Sequence, residues 1–309
     1  MIDRNKRFSI TLSLIVLLAA LFLIAKGALC SPISLTWVHA TVRVENEWGK
    51  GGTGFLVIRK MEKTQGKVFL VTNKHVIHPE PQTREKAGYL TLFLNVREKD
   101  GTVAGKSFQV PLTEDGQKLW RDHPIPPVDV LAVDITSLIN TQPNLENRGA
   151  EYSLFATPRI LKEENITEGE EVLILGYPLG LFHTRIHSPL VRQGIVATKI
   201  GERIQVRFRS SSGDPLRVEI PGFLIDANII PGSSGSPVVL KPIIGRKVKD
   251  KIEMGTATPY LLGIVSATET AAIRTEGYAF ATLAGLGIVF DASTIQETIE
   301  LFFPKEPRP

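Results

Sequence analysis

Pro231-Gly232-Ser233-Ser234-Gly235-Ser236-Pro237 is a turn of small residues that runs directly into the apolar strand Val238-Val239-Leu240. Glycines on both sides of a serine let the backbone turn sharply. The hydroxyl of Ser234 is thereby pushed outward while neighbouring N–H groups point into the same small space. Acyl transfer requires that combination. The attacking oxygen must be exposed, and the charge that develops on a carbonyl needs preorganised donors, here the backbone N–H groups of Gly232 and Ser234. The competing reading is an ordinary Gly/Ser/Pro loop between strands, so the rest of the chain has to supply a base and an orienting carboxylate.

Of the six histidines, His75 is singled out by its context. It closes the run Val68-Phe69-Leu70-Val71-Thr72-Asn73-Lys74, where an apolar strand gives way to a turn and a rigid core holds the imidazole at the strand end. His78 precedes Pro79 in a polar loop, and His123 and His187 sit beside turn residues, while His39 and His183 have no distinguishing context. The carboxylate candidate is Asp129, immediately before Val130-Leu131-Ala132-Val133. At a strand mouth, partial burial and one imidazole N–H partner would fix the histidine tautomer. Asp134, at the other end of that strand, is the rival and reads as a solvated terminus. Asp226 reads as stabilising the loop before Ser234.

With 309 residues, 43% of them hydrophobic and 22% charged, the chain has the mass for two cores and is not a disordered protein. The net charge of +4 comes from basic residues interleaved with acidic ones, which indicates a solvated surface and no nucleic-acid partner. The single cysteine, Cys30, excludes an intrachain disulfide and any Cys-pair metal site. No metal or other cofactor is called for. Arg4, Lys6 and Arg7 precede an apolar run from Phe8 to Ala25, the order of an export signal. The run is also long enough to cross a bilayer as a helix. Residues 1–30 are therefore read as a signal peptide, cut near Ala28-Leu29-Cys30, or as a membrane anchor. Either way the remainder is expected outside the cytoplasm: periplasmic, extracellular or anchored at the membrane.

From Ser34 onward, short apolar stretches alternate with Gly, Pro, Asn and Asp, which is an all-β signature. The strands expected are Leu35–Val44, Gly54–Ile58, Lys67–Thr72, Leu90–Val96, Ser107–Val110 and Val130–Thr136. A second set covers Glu171–Gly176, Gly194–Ile200, Ile204–Arg209, Leu216–Ile220, Val238–Leu240, Tyr260–Ser266 and Tyr278–Ala281. Lys99-Asp100-Gly101-Thr102 predicts a hairpin turn. Ile295, Ile299 and Phe302/Phe303 recur at helical spacing, predicting a short helix over Ile295–Phe303. The organisation expected is a β-barrel over residues 34–145 carrying His75 and Asp129, a linker over 146–170, and a second barrel with the terminal helix over 171–303 carrying Ser234. A cleft between two such units is a common place for a site.

Gly52-Thr53-Gly54-Phe55, Thr72-Asn73-Lys74-His75-Val76, Asp129-Val130-Leu131-Ala132-Val133 and Gly232-Ser233-Ser234-Gly235-Ser236-Pro237 resemble the consecutive hallmarks of chymotrypsin-fold serine proteases, in the same His, Asp, Ser order. Ile174-Leu175-Gly176-Tyr177-Pro178-Leu179-Gly180, Gly194-Ile195-Val196-Ala197 and Ile225-Asp226-Ala227-Asn228 are similar to the disulfide-free bacterial HtrA/Deg-type members. Leu262-Gly263-Ile264-Val265-Ser266 resembles the family's substrate-binding strand. The resemblance implies two six-stranded antiparallel barrels, an acyl-enzyme mechanism with Ser234, His75 and Asp129, and a protein or peptide substrate; it leaves oligomeric state open. It further implies that Asn228, Ser266, Ala267, Thr268 and Tyr278 contact substrate. With Asn228 at the floor of the specificity pocket and no carboxylate there, cleavage after small or medium apolar residues is expected, unless the loop from Asp226 to Pro231 is rearranged. Ser233 departs from the usual Asp or Asn and Ser236 from the usual glycine, and no PDZ domain is expected after the terminal helix. The alternative function is a catalytically silent, protease-like peptide-binding or scaffolding module.

Overall fold

A computed structural model of the chain describes residues 35–303 apart from 62–65, 79–85, 182, 184, 210–214, 243–244, 249–250, 255–257 and 276–277. Side chains at 207–209, 215–216, 245–248, 251–254, 267–275 and 278–284 lie outside the description too, as do residues 1–34, the expected export signal or anchor. Among the described residues no helix is long and apolar enough to cross a membrane.

The protein is mostly β, as the alternation of apolar runs and turn residues predicts. Its first sheet contains β1 (Thr41–Asn46), β2 (Gly51–Arg59), β3 (Lys67–Thr72), β4 (Tyr89–Arg97) and β5 (Val103–Pro111). A small hairpin of β6 (Thr113–Glu114) and β7 (Gln117–Lys118) follows, then β8 (Trp120–Asp122), β9 (Leu131–Asp134) and β10 (Ala150–Glu151). The strand order is β5-β4-β1-β2-β3-β9-β8, with β10 parallel to β2. The Lys99–Thr102 turn joins β4 to β5 as expected, Asp100 accepting from both the N–H and the hydroxyl of Thr102.

The second sheet is built from β11 (Glu171–Gly176), β12 (Leu190–Val196), β13 (Arg203–Arg209), β14 (Pro215–Asp226), β15 (Pro237–Leu240), β18 (Leu261–Thr275) and β19 (Tyr278–Asp291), with a separate hairpin of β16 (Gly245–Val248) and β17 (Lys251–Met254). Its order is β12-β11-β15-β18-β19-β14-β13, and a further β12–β14 pairing closes six of these strands into a barrel. Closure leaves those six without a free edge. Helices are few and short: α1 (Leu35–Ala40), α2 (Lys74–Ile77), α3 (Thr136–Thr141), α4 (Pro158–Glu163) and α5 (Ala292–Glu300). Stretch 146–170, expected as a linker, carries β10 and α4 and packs by burying Phe155 and bonding Ala156 N to the Leu261 carbonyl at 2.9 Å.

Side-chain alternation along the strands divides the core into three clusters. Leu56, Leu70, Leu131 and Val133 face one cluster inside the first sheet, while their neighbours Phe55, Val57, Phe69, Val71 and Ala132 face another. In the second sheet Val172, Ile174, Val238 and Leu240 fill the barrel, and Leu173, Leu175 and Val239 face outward. The two outward sets meet in one shared cluster that also takes in Ile295 and Ile299 of α5. Each large apolar side chain buried there contributes about 1.5–3 kcal/mol relative to exposure, so the shared cluster fixes one sheet against the other.

The strands expected at Tyr260–Ser266 and Tyr278–Ala281 run on as β18 and β19 to Thr275 and Asp291, and the terminal helix expected over Ile295–Phe303 forms over Ala292–Glu300. Two further elements differ in kind or place. Leu35–Ala40, expected as strand, is one turn of helix: Trp37 packs edge-on to Phe55 with centroids 6.1 Å apart and donates to the Pro259 carbonyl at 2.8 Å. β-branched and aromatic residues favour strand, but this tertiary anchor outweighs a local preference worth about 1 kcal/mol. The strand expected at Gly194–Ile200 is Leu190–Val196, because beyond Val196 the N–H groups of Ala197 and Thr198 turn to the Leu224 carbonyl.

Candidate active site

The serine turn is shaped by two left-handed glycines, Gly232 at φ 88° and Gly235 at φ 86°. Any side chain at 235 would collide with the Thr53 carbonyl, and one at 232 would press on Tyr177 and Leu179. The turn is tied to the first sheet through Thr53 of β2. Thr53 N donates to the Ser234 carbonyl at 2.9 Å, and its hydroxyl donates to the Gly232 carbonyl at 2.9 Å while accepting from Tyr177 N at 3.0 Å. Gly176 is required because the Ser236 hydroxyl occupies the space a Cβ would take. Among the described residues, the N–H groups of Gly232 and Ser234 have no protein acceptor.

His75 lies in α2, directly after β3, and three consecutive residues there grip the segment that carries Asp129. Asn73 Nδ2 donates to the Asp129 carbonyl at 2.6 Å. Lys74 Nζ donates to the carbonyls of His123, Ile125 and Pro126 at 2.8, 3.3 and 3.4 Å. The His75 backbone N–H donates to Asp129 Oδ1 at 3.2 Å, and Nδ1 meets Oδ2 at 2.6 Å. Burial alone would raise the Asp129 pKa, but the charge of His75 and hydrogen bonds from His75 and Ser266 outweigh it and hold the carboxyl below its ordinary value. An ionised carboxylate has no proton to give. Nδ1 is therefore the donor, and Nε2 is left to accept whenever the ring is neutral.

Ser266, expected from the resemblance to contact substrate, also places its side chain against the acid. Its hydroxyl donates to Asp129 Oδ2 at 2.8 Å, and its carbonyl accepts from Ser234 Oγ at 3.0 Å. A bulge between Val265 and Ala267, where β18 shifts register against β19, sets this arrangement, in keeping with the use of bulges to re-aim side chains. In the run Leu262–Val265 the one local signal of a bulge is Gly263, two residues before the register shift. Among the described residues no hydrogen bond joins Ser234 Oγ to the His75 ring.

The other expectations sort clearly. Asp134 binds Lys67 Nζ at 2.8 Å and accepts from Thr136 N and Oγ1, serving the entry to α3. Asp226 and Asn228 are exposed, with the Asn228 carbonyl accepting from Arg192. Ile229 and Val265 are buried in the second barrel. Ala267, Thr268 and Tyr278 lie on β18 and β19, with side chains outside the description. His123 is buried against Glu297, His39 meets the Glu146 carbonyl, and His187 packs on Phe93. Among the described residues no group of His, Cys, Asp and Glu suited to a metal occurs.

Residues 52–241, more than half of the chain, match the model of the trypsin-like peptidase domain. The chain belongs to the trypsin-like peptidase family. It is a trypsin-like serine peptidase, a hydrolase acting on protein or peptide substrates. None of the curated proteins matches it. Among solved structures, this peptidase is similar to an inactive form of Rv3671c from M. tuberculosis H37Rv, at 18% identity over 89% of this chain and 92% of that one, with a TM-score of 0.46. It is likewise similar to the active form of the Rv3671c protease, at 16% identity, 89% and 86% coverage and a TM-score of 0.44. A third similar structure is Deg5, at 16% identity, 87% and 91% coverage and a TM-score of 0.48.

The depressed Asp129 pKa has a testable sign. The unfolded chain takes up this proton first, so the contribution to stability is full above the unfolded value of about 3.9 and drains as pH falls through the folded value. Asp129→Asn should therefore flatten the acid end of a plot of urea midpoint against pH. An acid limb identical to that of the wild type would show that the carboxylate is not held as described.

Proposed function

We propose that the peptidase is a serine endopeptidase of the two-barrel chymotrypsin type, with the first sheet as the counterpart of the closed second barrel, and that Ser234, His75 and Asp129 carry the reaction. The observation that carries the reading is the short contact from His75 Nδ1 to the ionised Asp129, beside a Ser234 hydroxyl held on the Ser266 carbonyl. In the reaction Ser234 exchanges that carbonyl for His75 Nε2, which takes the hydroxyl proton as Oγ attacks the scissile carbonyl. The resulting oxyanion accepts from the Gly232 and Ser234 N–H groups. Asp129 stabilises the imidazolium, which returns its proton to the leaving amine, and water then repeats the sequence on the acyl-enzyme.

Export forms part of the same proposal, supported by the charged-then-apolar order of residues 1–30. Recovery of the intact chain from the cytoplasm would contradict it. The exposed Asn228, with no carboxylate at that position, supports cleavage after small or medium apolar residues. A peptide-library profile dominated by Arg, Lys or Glu at the cleaved position would refute the preference and leave the triad untouched.

Ser234→Ala should retain the fold and lose turnover by about 10⁴-fold or more. Asp129→Asn should lower turnover strongly, whereas Asp134→Asn, which disturbs only the Lys67 ion pair and the entry to α3, should not. Undiminished hydrolysis by Ser234→Ala would sink the assignment, and a reversed result for the two acids would move the orienting role to Asp134.

A further inference from the structure

Arg192 lies on β12, and its side chain reaches beneath the serine turn. Nη2 donates to Ser233 Oγ at 2.8 Å, and Nη1 donates to the Asn228 carbonyl. One planar guanidinium therefore holds both ends of the segment from Asn228 to Ser233, using the fork geometry that a lysine lacks. Other bonds hold the middle of the segment: Ser233 N donates to the Ile230 carbonyl at 3.0 Å, Ile229 N to the Ala227 carbonyl at 2.8 Å, and the carbonyls of Pro231 and Gly232 accept from Leu179 N at 2.8 Å and the Thr53 hydroxyl at 2.9 Å; none of these reaches the Asn228 carbonyl or the Ser233 side chain. Among the described residues no carboxylate pairs with Arg192, and burial lowers its pKa.

A half-buried cation without a counter-ion costs free energy. An apolar side chain would cover the same strand face without that cost. What the guanidinium adds is attachment to Ser233, which is fully buried and stands between the two residues whose N–H groups are free. A serine at this position offers an uncharged acceptor, where the family resemblance leads one to expect an acid or amide.

We propose that Arg192 is a positioning residue that locks the segment from Asn228 to Ser233 in the form in which the Gly232 and Ser234 N–H groups converge on an oxyanion. The proposal rests on the serine-peptidase reading above. Arg192 touches no reacting atom; its effect passes through Ser233. A turn released at both ends misplaces the two donors by a fraction of an ångström or more, which lowers turnover rather than substrate binding.

The test is the kinetics of Arg192→Met, Arg192→Lys, Ser233→Ala and the Arg192→Met/Ser233→Ala pair, with active sites counted by burst titration with an activated ester. Arg192→Met should lower kcat per titrated site by about ten- to a hundredfold while KM stays within about twofold. Arg192→Lys should recover part of the loss. Ser233→Ala should lose less than Arg192→Met, and the double variant should be no slower than Arg192→Met, because both changes remove one interaction. A wild-type kcat in Arg192→Met, or losses that simply add in the pair, would overturn the proposal. If Arg192→Met does not fold, Ser233→Ala and Arg192→Lys carry the decision, and wild-type kcat in both overturns it. Activity persisting in Ser234→Ala would defeat the peptidase reading instead, an outcome the Arg192 variants cannot mimic.

Discussion

The Asp129 carboxylate is a charge taken largely out of water, with its side chain 20% exposed, and the rest of the site depends on how that charge is compensated. Desolvating a carboxylate costs several kcal/mol unless its oxygens find donors. Three are supplied: the His75 backbone N–H, the His75 ring and the Ser266 hydroxyl. The first two follow β3 of the first sheet, and the third stands on β18 of the second. The charge is satisfied only when the two sheets sit in one relation. The shared apolar cluster and the Thr53 bonds to the serine turn impose that relation from either side.

The same constraint reaches Ser234. Ser266 serves both partners, donating to Asp129 and accepting from Ser234, so one bulged residue sets the acid and the serine relative to each other. The N–H groups of Gly232 and Ser234, proposed above as the oxyanion donors, are held by glycine geometry at 232 and 235, where backbone occupies the space a side chain would need. Preorganisation of this kind costs nothing at the moment of reaction.

Much of this was legible in the sequence because it rests on local patterning. The unbroken apolar runs around Leu70 and Ile174, the Asp100-Gly101 turn, and the Gly-flanked serine each specify structure within a few residues. His75 and Asp129 were readable because each ends an apolar strand. The parts that were not legible depend on distant partners. Helix α1 forms because Trp37 finds Pro259 and Phe55. The Ser266 bulge exists only as a mismatch between two paired strands. Arg192 reads as an ordinary surface cation until β12 is placed beside the serine turn. Lys74 likewise reads as a solvated charge until its three carbonyl acceptors are seen.

The central claim is that the buried Asp129 and His75 make Ser234, among all the hydroxyls of the chain, nucleophilic. Reaction of the folded protein with a fluorophosphonate, followed by mass mapping of the adduct, tests this most directly. The account predicts a single adduct on Ser234, lost in Asp129→Asn at equal exposure to the reagent. A folded wild-type protein that takes up no reagent, or carries it on another residue, would contradict the account.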